Sequence, residues 1–262
     1  MRTDWTLLNV QQAEPGVLQL RIDNPPLGLL NQVVRQELGS LFQEVGGTTD
    51  VRCVVFGSGD RSFCAGADLK EYPLRFDPSV ARAHVENAHR MILALVECDT
   101  PVIAAVRGAC MGGGMELALG CSYRIAARSS TFALPEVKRG AWPGTGGTAL
   151  LTRLVRPSIA KRLLYTGETL TGEKARDLGL VDELVDDETL HVRASELAAV
   201  IASQPRTSVA TMAQLLDRDF RANLRAHLRD EAERFVQAYQ LPAAREGYSA
   251  FFEKREPRWQ QS

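Results

Sequence analysis

The segment PVIAAVRGACMGGGMELALGC, residues 101–121, decides the fold class of this chain of 262 residues. It begins with VIAAV at 102–106, an apolar run typical of a strand that is covered on both faces in a parallel sheet. Three glycines, Gly112 to Gly114, then precede good helix formers, so we expect a helix to start near Gly113. The segment therefore predicts a strand, a glycine-rich turn and a helix in succession.

The same alternation of strands and helices continues on both sides of this segment. Further strands are predicted at 17–22, 51–56, 123–127 and 131–134. Predicted helical runs lie near 34–45, 80–95, 145–155, 157–166, 171–178, 187–203, 206–218 and 221–255. We therefore expect a core of repeated βα units over residues 1–200, followed by a helical region over residues 201–262.

Composition and charge limit the classes of function. The chain is 45% apolar and 24% charged, which suits one sizeable domain. Its 31 basic and 32 acidic side chains leave no global field to attract nucleic acid or a membrane, although a local basic patch can still hold a phosphate. The five cysteines include no CxxC pair, and neither a secretory signal nor a membrane span is visible. We expect a soluble cytoplasmic protein with reduced thiols that binds neither nucleic acid nor membranes.

The glycine run forms a candidate site for a ligand oxygen. The first N–H groups of a helix have no partner within the helix, and glycine lets an oxygen approach them closely. No Gly-Lys-Ser/Thr follows, and GxGxxG spacing is missing, so a nucleotide loop is not indicated. The alternative is a tight turn selected only for packing.

A second loop, FCAGADLKE at 63–71, has the same order of strand, small residues and helix start. Ala65, Gly66 and Ala67 leave the backbone amides accessible to a ligand. Two such loops that follow neighbouring strands can direct two donors at one oxygen, which is the design of an oxyanion hole. The alternative is that Asp68 caps a helix after a turn of small residues.

Two glutamates lie beside these loops. Glu116 is two residues past the glycine run, within the apolar string Met115–Leu119, where an unpaired charge is costly. Glu136 follows a proline at the end of a short strand. Each of them alone is more often structural. Together, beside two candidate oxyanion loops, they indicate proton-transfer chemistry.

These motifs resemble the enoyl-CoA hydratase/isomerase, or crotonase, superfamily. The resemblance rests on AGADLKE at 65–71, the opening segment at 101–121, PE at 135–136, PGTGGT at 143–148, LTGEKARDLGLVDELV at 170–185 and AFFEKR at 250–255. It implies an α/β fold, with a crotonase-type spiral core of repeated ββα turns followed by a C-terminal helical trimerisation region. It also implies a homo-trimer or a dimer of trimers.

The resemblance assigns roles to individual residues. The N–H groups of Ala67 and Gly113 are expected to form the oxyanion hole, and Glu116 and Glu136 match both catalytic glutamates of the hydratases. The remaining expected contacts to the coenzyme A thioester are Ala65, Asp68, Leu69, Lys70, Gly112, Pro135, Trp142, Gly144, Phe251 and Lys254. Phe251 and Lys254 are expected to reach the coenzyme A of a neighbouring subunit.

Two stretches depart from the common pattern of the family. Trp142 stands where many members carry a smaller residue, so it either reshapes the acyl pocket or packs against the following helix. NPPLGLLN at 24–31 replaces the commoner Arg-Pro form, which leaves contacts to the ribose or phosphate open.

The presence of both glutamates favours a 2-enoyl-CoA hydratase. No metal or redox cofactor is expected, since coenzyme A enters with the substrate and the four histidines have no ligand spacing. The alternatives are a Δ3-Δ2 enoyl-CoA isomerase, a dehydratase of an unusual 3-hydroxyacyl-CoA, an RNA-binding member of the fold, and a coenzyme A-binding scaffold without turnover.

Overall fold

A computed structural model describes residues 2–58 and 61–259. Its strands are β1 (Leu8–Glu14), β2 (Val17–Ile22), β3 (Cys53–Gly57), β4 (Ser62–Cys64), β5 (Val102–Val106), β6 (Ala109–Met111), β7 (Tyr123–Ala127), β8 (Thr131–Ala133), β9 (Leu170–Thr171) and β10 (Glu183–Val185). Its α-helices are α1 (Gln32–Gly47), α2 (Pro78–Glu97), α3 (Gly113–Gly120), α4 (Gly147–Leu154), α5 (Pro157–Thr166), α6 (Gly172–Asp177), α7 (Leu190–Ala202), α8 (Arg206–Ala238) and α9 (Pro242–Phe252). Short 3₁₀ helices cover Leu69–Glu71, Pro73–Phe76 and Glu136–Arg139.

The strands form two sheets that the chain visits in turn. One sheet has the order β1-β2-β3-β5-β7-β10, and the other has the order β4-β6-β8-β9. The pairs β3-β4, β5-β6 and β7-β8 each place their first strand in the first sheet and their second strand in the other. Helix α2 follows the first of these pairs, and α3 follows the second. The predicted α/β spiral of ββα turns with helices at its C-terminal end is confirmed.

Strand β5 is buried on both faces, as its uniformly apolar sequence predicts. It lies between β3 and β7 and pairs with both in parallel. Ile103 and Ala105 pack into a cluster with Leu190 and Ala194 of α7, whereas the alternate side chains face the main core. The chain continues from this buried strand through β6 into the turn that contains Gly112.

The short strands β4 and β6 bring the two glycine-containing loops together. They pair in parallel, with Ser62 opposite Ala109 and Cys64 opposite Cys110. Because parallel strands end at the same edge of a sheet, residues 65–68 and Gly112 leave this pair side by side. The second sheet therefore positions the candidate site.

The C-terminal helices differ from the prediction in their boundaries. Helix α8 runs without interruption from Arg206 to Ala238, so the predicted break between 218 and 221 is wrong. Asp219 and Phe220 are only weakly unfavourable in a helix and do not stop it. The chain instead breaks at Leu241, because Pro242 disfavours helical backbone before it and suits the first position of α9.

Among the helices of the described ranges, none combines the length and the apolar character needed to cross a membrane.

Candidate active site

The loops after β4 and β6 are in direct contact. Gly66 has a φ of +97°, and a Cβ at this position would lie 2.9 Å from the carbonyl oxygen of Met111. A larger residue at position 66 would force the two loops apart. The loops can therefore present their amides to one small volume.

Two N–H groups at this junction are free to bind a ligand. Gly113 is the first residue of α3, where the N–H group has no partner within the helix. Ala67 bridges to Leu30 through the carbonyl of Gly66 and the N–H of Asp68, which leaves its own N–H out of the pairing. Within residues 2–58 and 61–259, neither of the two N–H groups has a hydrogen-bond acceptor. Ala67 and Gly113 line the same cavity.

Glu116 is held from one side by a neighbouring turn. It lies in α3 and is 2% exposed. Its Oε1 atom accepts hydrogen bonds from the N–H groups of Thr145 at 2.7 Å and Gly147 at 2.8 Å. Its other oxygen faces Gly113, since a Cβ at that residue would lie 3.9 Å from Oε2. One oxygen is thus anchored, and the other is turned toward the glycine turn.

Glu136 lies on the other side of the glycine turn, at the start of the 3₁₀ helix after β8. Gly112 has a φ of +51°, and a Cβ there would lie 2.7 Å from Oε1 of Glu136. The Oε2 atom of Glu136 is buried and has no hydrogen-bond partner among the described residues. Buried polar atoms are normally paired, so this oxygen is available to a ligand or a water. Glu116 and Glu136 therefore flank the backbone of Gly112 and Gly113.

Burial shifts the protonation of both glutamates. It raises the pKa of Glu116 well above its ordinary value, and the carboxylates of Glu136 and Glu231 add to this effect. Burial also raises the pKa of Glu136 to about 7, although the nearby Arg139 opposes the shift. With its pKa of about 7, Glu136 can both release and take up a proton near neutral pH, and the two neighbouring carboxyls are suited to act as an acid and a base.

A third carboxylate, Glu231 of α8, binds the same turn that holds Glu116. Its Oε1 atom accepts the N–H of Gly146 at 2.9 Å and lies 3.0 Å from Nε2 of His89. Burial raises the pKa of Glu231, but hydrogen bonds with His227 and His89 outweigh it and hold the pKa below its ordinary value. Glu231 is therefore ionised at neutral pH.

Glu231 is a site residue that was not predicted from the sequence. A signal for it exists in the spacing of α8, where Glu231 interrupts the apolar face formed by Leu224, Leu228 and Phe235. A carboxylate in such a position needs buried partners, and Gly146 and His89 provide them.

These groups open onto a cavity of about 510 Å³. It is lined by all but one of the predicted site residues, namely Glu116, Glu136, Ala65, Ala67, Asp68, Leu69, Lys70, Gly112, Gly113, Pro135, Trp142, Gly144 and Phe251. The exception is Lys254, which is exposed and does not line the cavity. Phe251 lines the cavity of its own chain, and its contact with a neighbouring subunit stays a prediction.

Trp142 is partly buried and lines the cavity. It packs against the aromatic cluster that contains Tyr72, Phe235 and Tyr239. The residue therefore helps to shape the cavity wall.

Asp68 caps the 3₁₀ helix that follows it, because its side chain accepts the N–H of Lys70 at 2.9 Å. The capping interpretation is therefore confirmed, and Asp68 lines the cavity as well. From the unusual 24–31 stretch, Leu27, Leu29 and Leu30 line the cavity.

In the part of the chain that the structure describes, no group of three or more His, Cys, Asp or Glu side chains is arranged to hold a metal ion.

Comparison with known proteins shows the family of the chain. The model of the enoyl-CoA hydratase/isomerase family matches residues 12–262. A probable enoyl-CoA hydratase of Bacillus subtilis (strain 168) is 35% identical over 93% of this chain and 95% of its own length. A short-chain-enoyl-CoA hydratase of Clostridium acetobutylicum is 32% identical over 94% of this chain and 95% of its own.

A solved structure agrees with these relatives. The crystal structure of a carnitinyl-CoA hydratase from Mycobacterium avium has a TM-score of 0.85 and 32% identity, and the match covers 98% of this chain and 99% of that one. The chain therefore belongs to the enoyl-CoA hydratase/isomerase family.

Proposed function

We propose that this protein is a 2-enoyl-CoA hydratase, which adds water across the 2-trans double bond of an enoyl-CoA thioester. The observation that carries the proposal is that Glu116, which is buried, and Glu136, which is partly exposed but has a buried Oε2 atom, both have raised pKa values and both lie next to the Gly112-Gly113 turn. The relatives named as hydratases support the same reaction.

The free N–H groups of Ala67 and Gly113 bind the thioester oxygen in this proposal. Addition of water at C3 moves electron density through C2 onto that oxygen, which becomes an enolate. Donors already in place stabilise this charge, and the loss of one such donor typically costs about 10²–10³ in rate, or about 3–4 kcal/mol.

The two glutamates divide the proton transfers. Glu116 has one oxygen anchored by Thr145 and Gly147, so its other oxygen is oriented to accept a proton from the attacking water. Glu136, with a pKa of about 7 and an Oε2 that has no partner among the described residues, delivers a proton to C2. Each transfer is worth about 10²–10⁴ in rate.

The coenzyme A moiety enters with the substrate and is the only carrier that the reaction needs. In this proposal the backbone of 65–70 holds its adenine and pantetheine portions, and the acyl group reaches the cavity past Ala67. Lys70 is exposed at the edge of the cavity, where it can meet a phosphate.

We further propose that the enzyme assembles as a homo-trimer or a dimer of trimers in the cytoplasm. Helix α8 leaves Met212, Leu215 and Leu216 exposed by 54%, 66% and 79%, an apolar surface that a second copy of the chain would cover. Sedimentation equilibrium would return a trimer or hexamer mass, whereas a monomer mass would contradict the proposal.

An assay with two substrates tests the reaction. The protein is expected to hydrate crotonyl-CoA and to convert 3-enoyl-CoA much more slowly. Efficient conversion of the 3-enoyl thioester without hydration of crotonyl-CoA would instead assign the protein as an isomerase. Substitution of each glutamate by glutamine refines the result, because an isomerase that uses one carboxylate would tolerate one of the two changes.

A further inference from the structure

Part of the cavity wall is made of buried cations that hydration chemistry does not use. Arg35 of α1 and Arg75 of the 3₁₀ helix Pro73–Phe76 both line the cavity, and each side chain is only 4% exposed. Guanidinium groups are rarely buried to this extent unless they are paired. Their partners therefore decide what this wall can bind.

The acidic groups around these arginines do not balance them. The Oε2 atom of Glu71 accepts a hydrogen bond from Nη2 of Arg35 at 2.8 Å, but it lies 3.9 Å from Nη2 of Arg75. Asp68 acts on Arg35 only at longer range, since its carboxylate caps the helix at Lys70. Among the residues that the structure describes, these two cations thus share one close carboxylate.

A histidine on α2 adds no charge to the wall. His84 lies 3.8 Å from Glu71, but burial and the two arginines lower the pKa of His84 well below its ordinary value. The imidazole is therefore neutral at pH 7. The wall keeps an excess positive charge.

Arg75 also has unused hydrogen-bond donors. Its Nη1 atom donates to the hydroxyl of Tyr239 at 3.0 Å. Within the described ranges its Nε and Nη2 atoms have no hydrogen-bond partner, and neither does Nε of Arg35. Leaving the donors of a buried cation unpaired is costly, so an acceptor supplied by a ligand would be strongly stabilising.

An aromatic layer connects this cationic wall to the catalytic groups. The Phe235 ring packs directly against Gly144, whose neighbour Thr145 holds Glu116. The Phe235 and Tyr239 rings lie 4.8 Å apart, and Tyr239 contacts Arg75. The aromatic rings therefore line a path from the reacting carbons to the arginines within one cavity.

We propose that this cavity selects acyl groups that end in a carboxylate, so that the substrate is a 2-enoyl thioester of a dicarboxylic acid. This proposal rests on the proposed function, because it assumes that the acyl chain of a coenzyme A thioester occupies the cavity. The planar fork of Arg75 matches the geometry of a carboxylate, and the charge that it lacks is the charge that such a substrate brings.

Calorimetric titration with two inert thioesters tests the assignment. Adipoyl-CoA and hexanoyl-CoA have the same chain length and lack the reactive double bond, so binding is measured without turnover. The wild-type protein is expected to bind adipoyl-CoA about 10- to 100-fold more tightly, the usual worth of a charged hydrogen bond. Equal affinities, or tighter binding of hexanoyl-CoA, would overturn the proposal.

Two variants test whether Arg75 causes the preference for adipoyl-CoA. Arg75→Met is expected to bring the ratio of the two affinities close to one, whereas Arg90→Met, at an exposed arginine of α2, is expected to keep the wild-type ratio. An unchanged ratio in R75M would reject the role of Arg75. If R75M does not fold, the wild-type ratio alone still decides.

The same titrations separate the two proposals. If both thioesters bind equally, only the carboxylate assignment fails. If neither thioester binds, the proposed function fails with it.

Discussion

Glu116 and Glu231 hold the same turn through alternating backbone amides. Thr145 and Gly147 donate to Glu116, and Gly146 between them donates to Glu231. Two carboxylates from different helices, α3 and α8, are thereby fixed relative to each other. Because like charges at close range disfavour ionisation, Glu231 also helps to keep the pKa of Glu116 high.

Replacement of Glu231 by glutamine is therefore expected to move the pH–rate profile. The charge of Glu231 raises the pKa values of both Glu116 and Glu136, so its removal lowers both. Both limbs of the bell-shaped dependence of kcat/KM on pH should shift to lower pH. Glu233→Gln, at an exposed position of the same helix, is the matched control and should leave the profile in place. A profile of E231Q that coincides with the wild type would contradict this role of Glu231.

The two catalytic glutamates are expected to act as a unit. Glu116→Gln and Glu136→Gln should each lower kcat/KM for crotonyl-CoA by about 10²–10⁴. The double variant should lose much less than the product of the two effects, because residues that act together are not additive. Steady-state kinetics of the three variants checks this expectation. If the loss of kcat/KM in the double variant equals the product of the two single losses, the two glutamates act independently.

The raised pKa of Glu136 predicts that stability depends on pH. A carboxyl group with a folded-state pKa of about 7, against 4.5 for its ordinary value, favours the folded state below pH 4.5. This contribution is lost as the pH rises through 7 and amounts to at most about 3 kcal/mol. Denaturant titrations at acidic and mildly alkaline pH should show a smaller decline for Glu136→Gln than for the wild type. Equal declines would mean that Glu136 titrates normally in the folded protein.

Gly112→Ala is expected to impair both activity and stability. The φ of +51° is unfavourable for alanine, and the new Cβ would meet Glu136 Oε1 at 2.7 Å. We expect a loss of about 1–3 kcal/mol in the free energy of unfolding and a fall in kcat larger than the change in KM. Gly47→Ala is the control, because a Cβ there would meet nothing within 4 Å. Wild-type kinetics in G112A would show that the turn tolerates displacement of Glu136.

The long apolar and alternating segments were predictable from the sequence. The strands at 17–22, 102–106 and 123–127 lie where the pattern of side chains places them. The strands β4 and β6 were not predicted, because each has only three residues and passes directly into a loop of small residues. Yet this short pair brings the loop of Ala67 beside Gly112, so the sequence predicted that the two loops can converge but not which strands join them.

Site residues beside recognisable sequence motifs were predictable, whereas residues that reach the site only through tertiary packing were not. Glu116 and Glu136 stand next to recognisable turns, and both line the cavity. Glu231 lies 115 residues beyond Glu116 and 95 residues beyond Glu136, and its role depends on how α8 packs on α2 and the turn at Gly146. The contact of Arg35 with Glu71 also depends on tertiary packing, because the two residues lie 36 positions apart, whereas Arg75 is only four residues from Glu71.

The most direct test of the account is a crystal structure of the protein with an unreactive acyl-CoA bound. In that structure the thioester oxygen is expected at about 2.7–3.1 Å from the amide nitrogens of both Ala67 and Gly113. The carboxyl groups of Glu116 and Glu136 are both expected to face C2 and C3. A thioester oxygen bound away from these amides, or a C2–C3 bond out of reach of either glutamate, would contradict it.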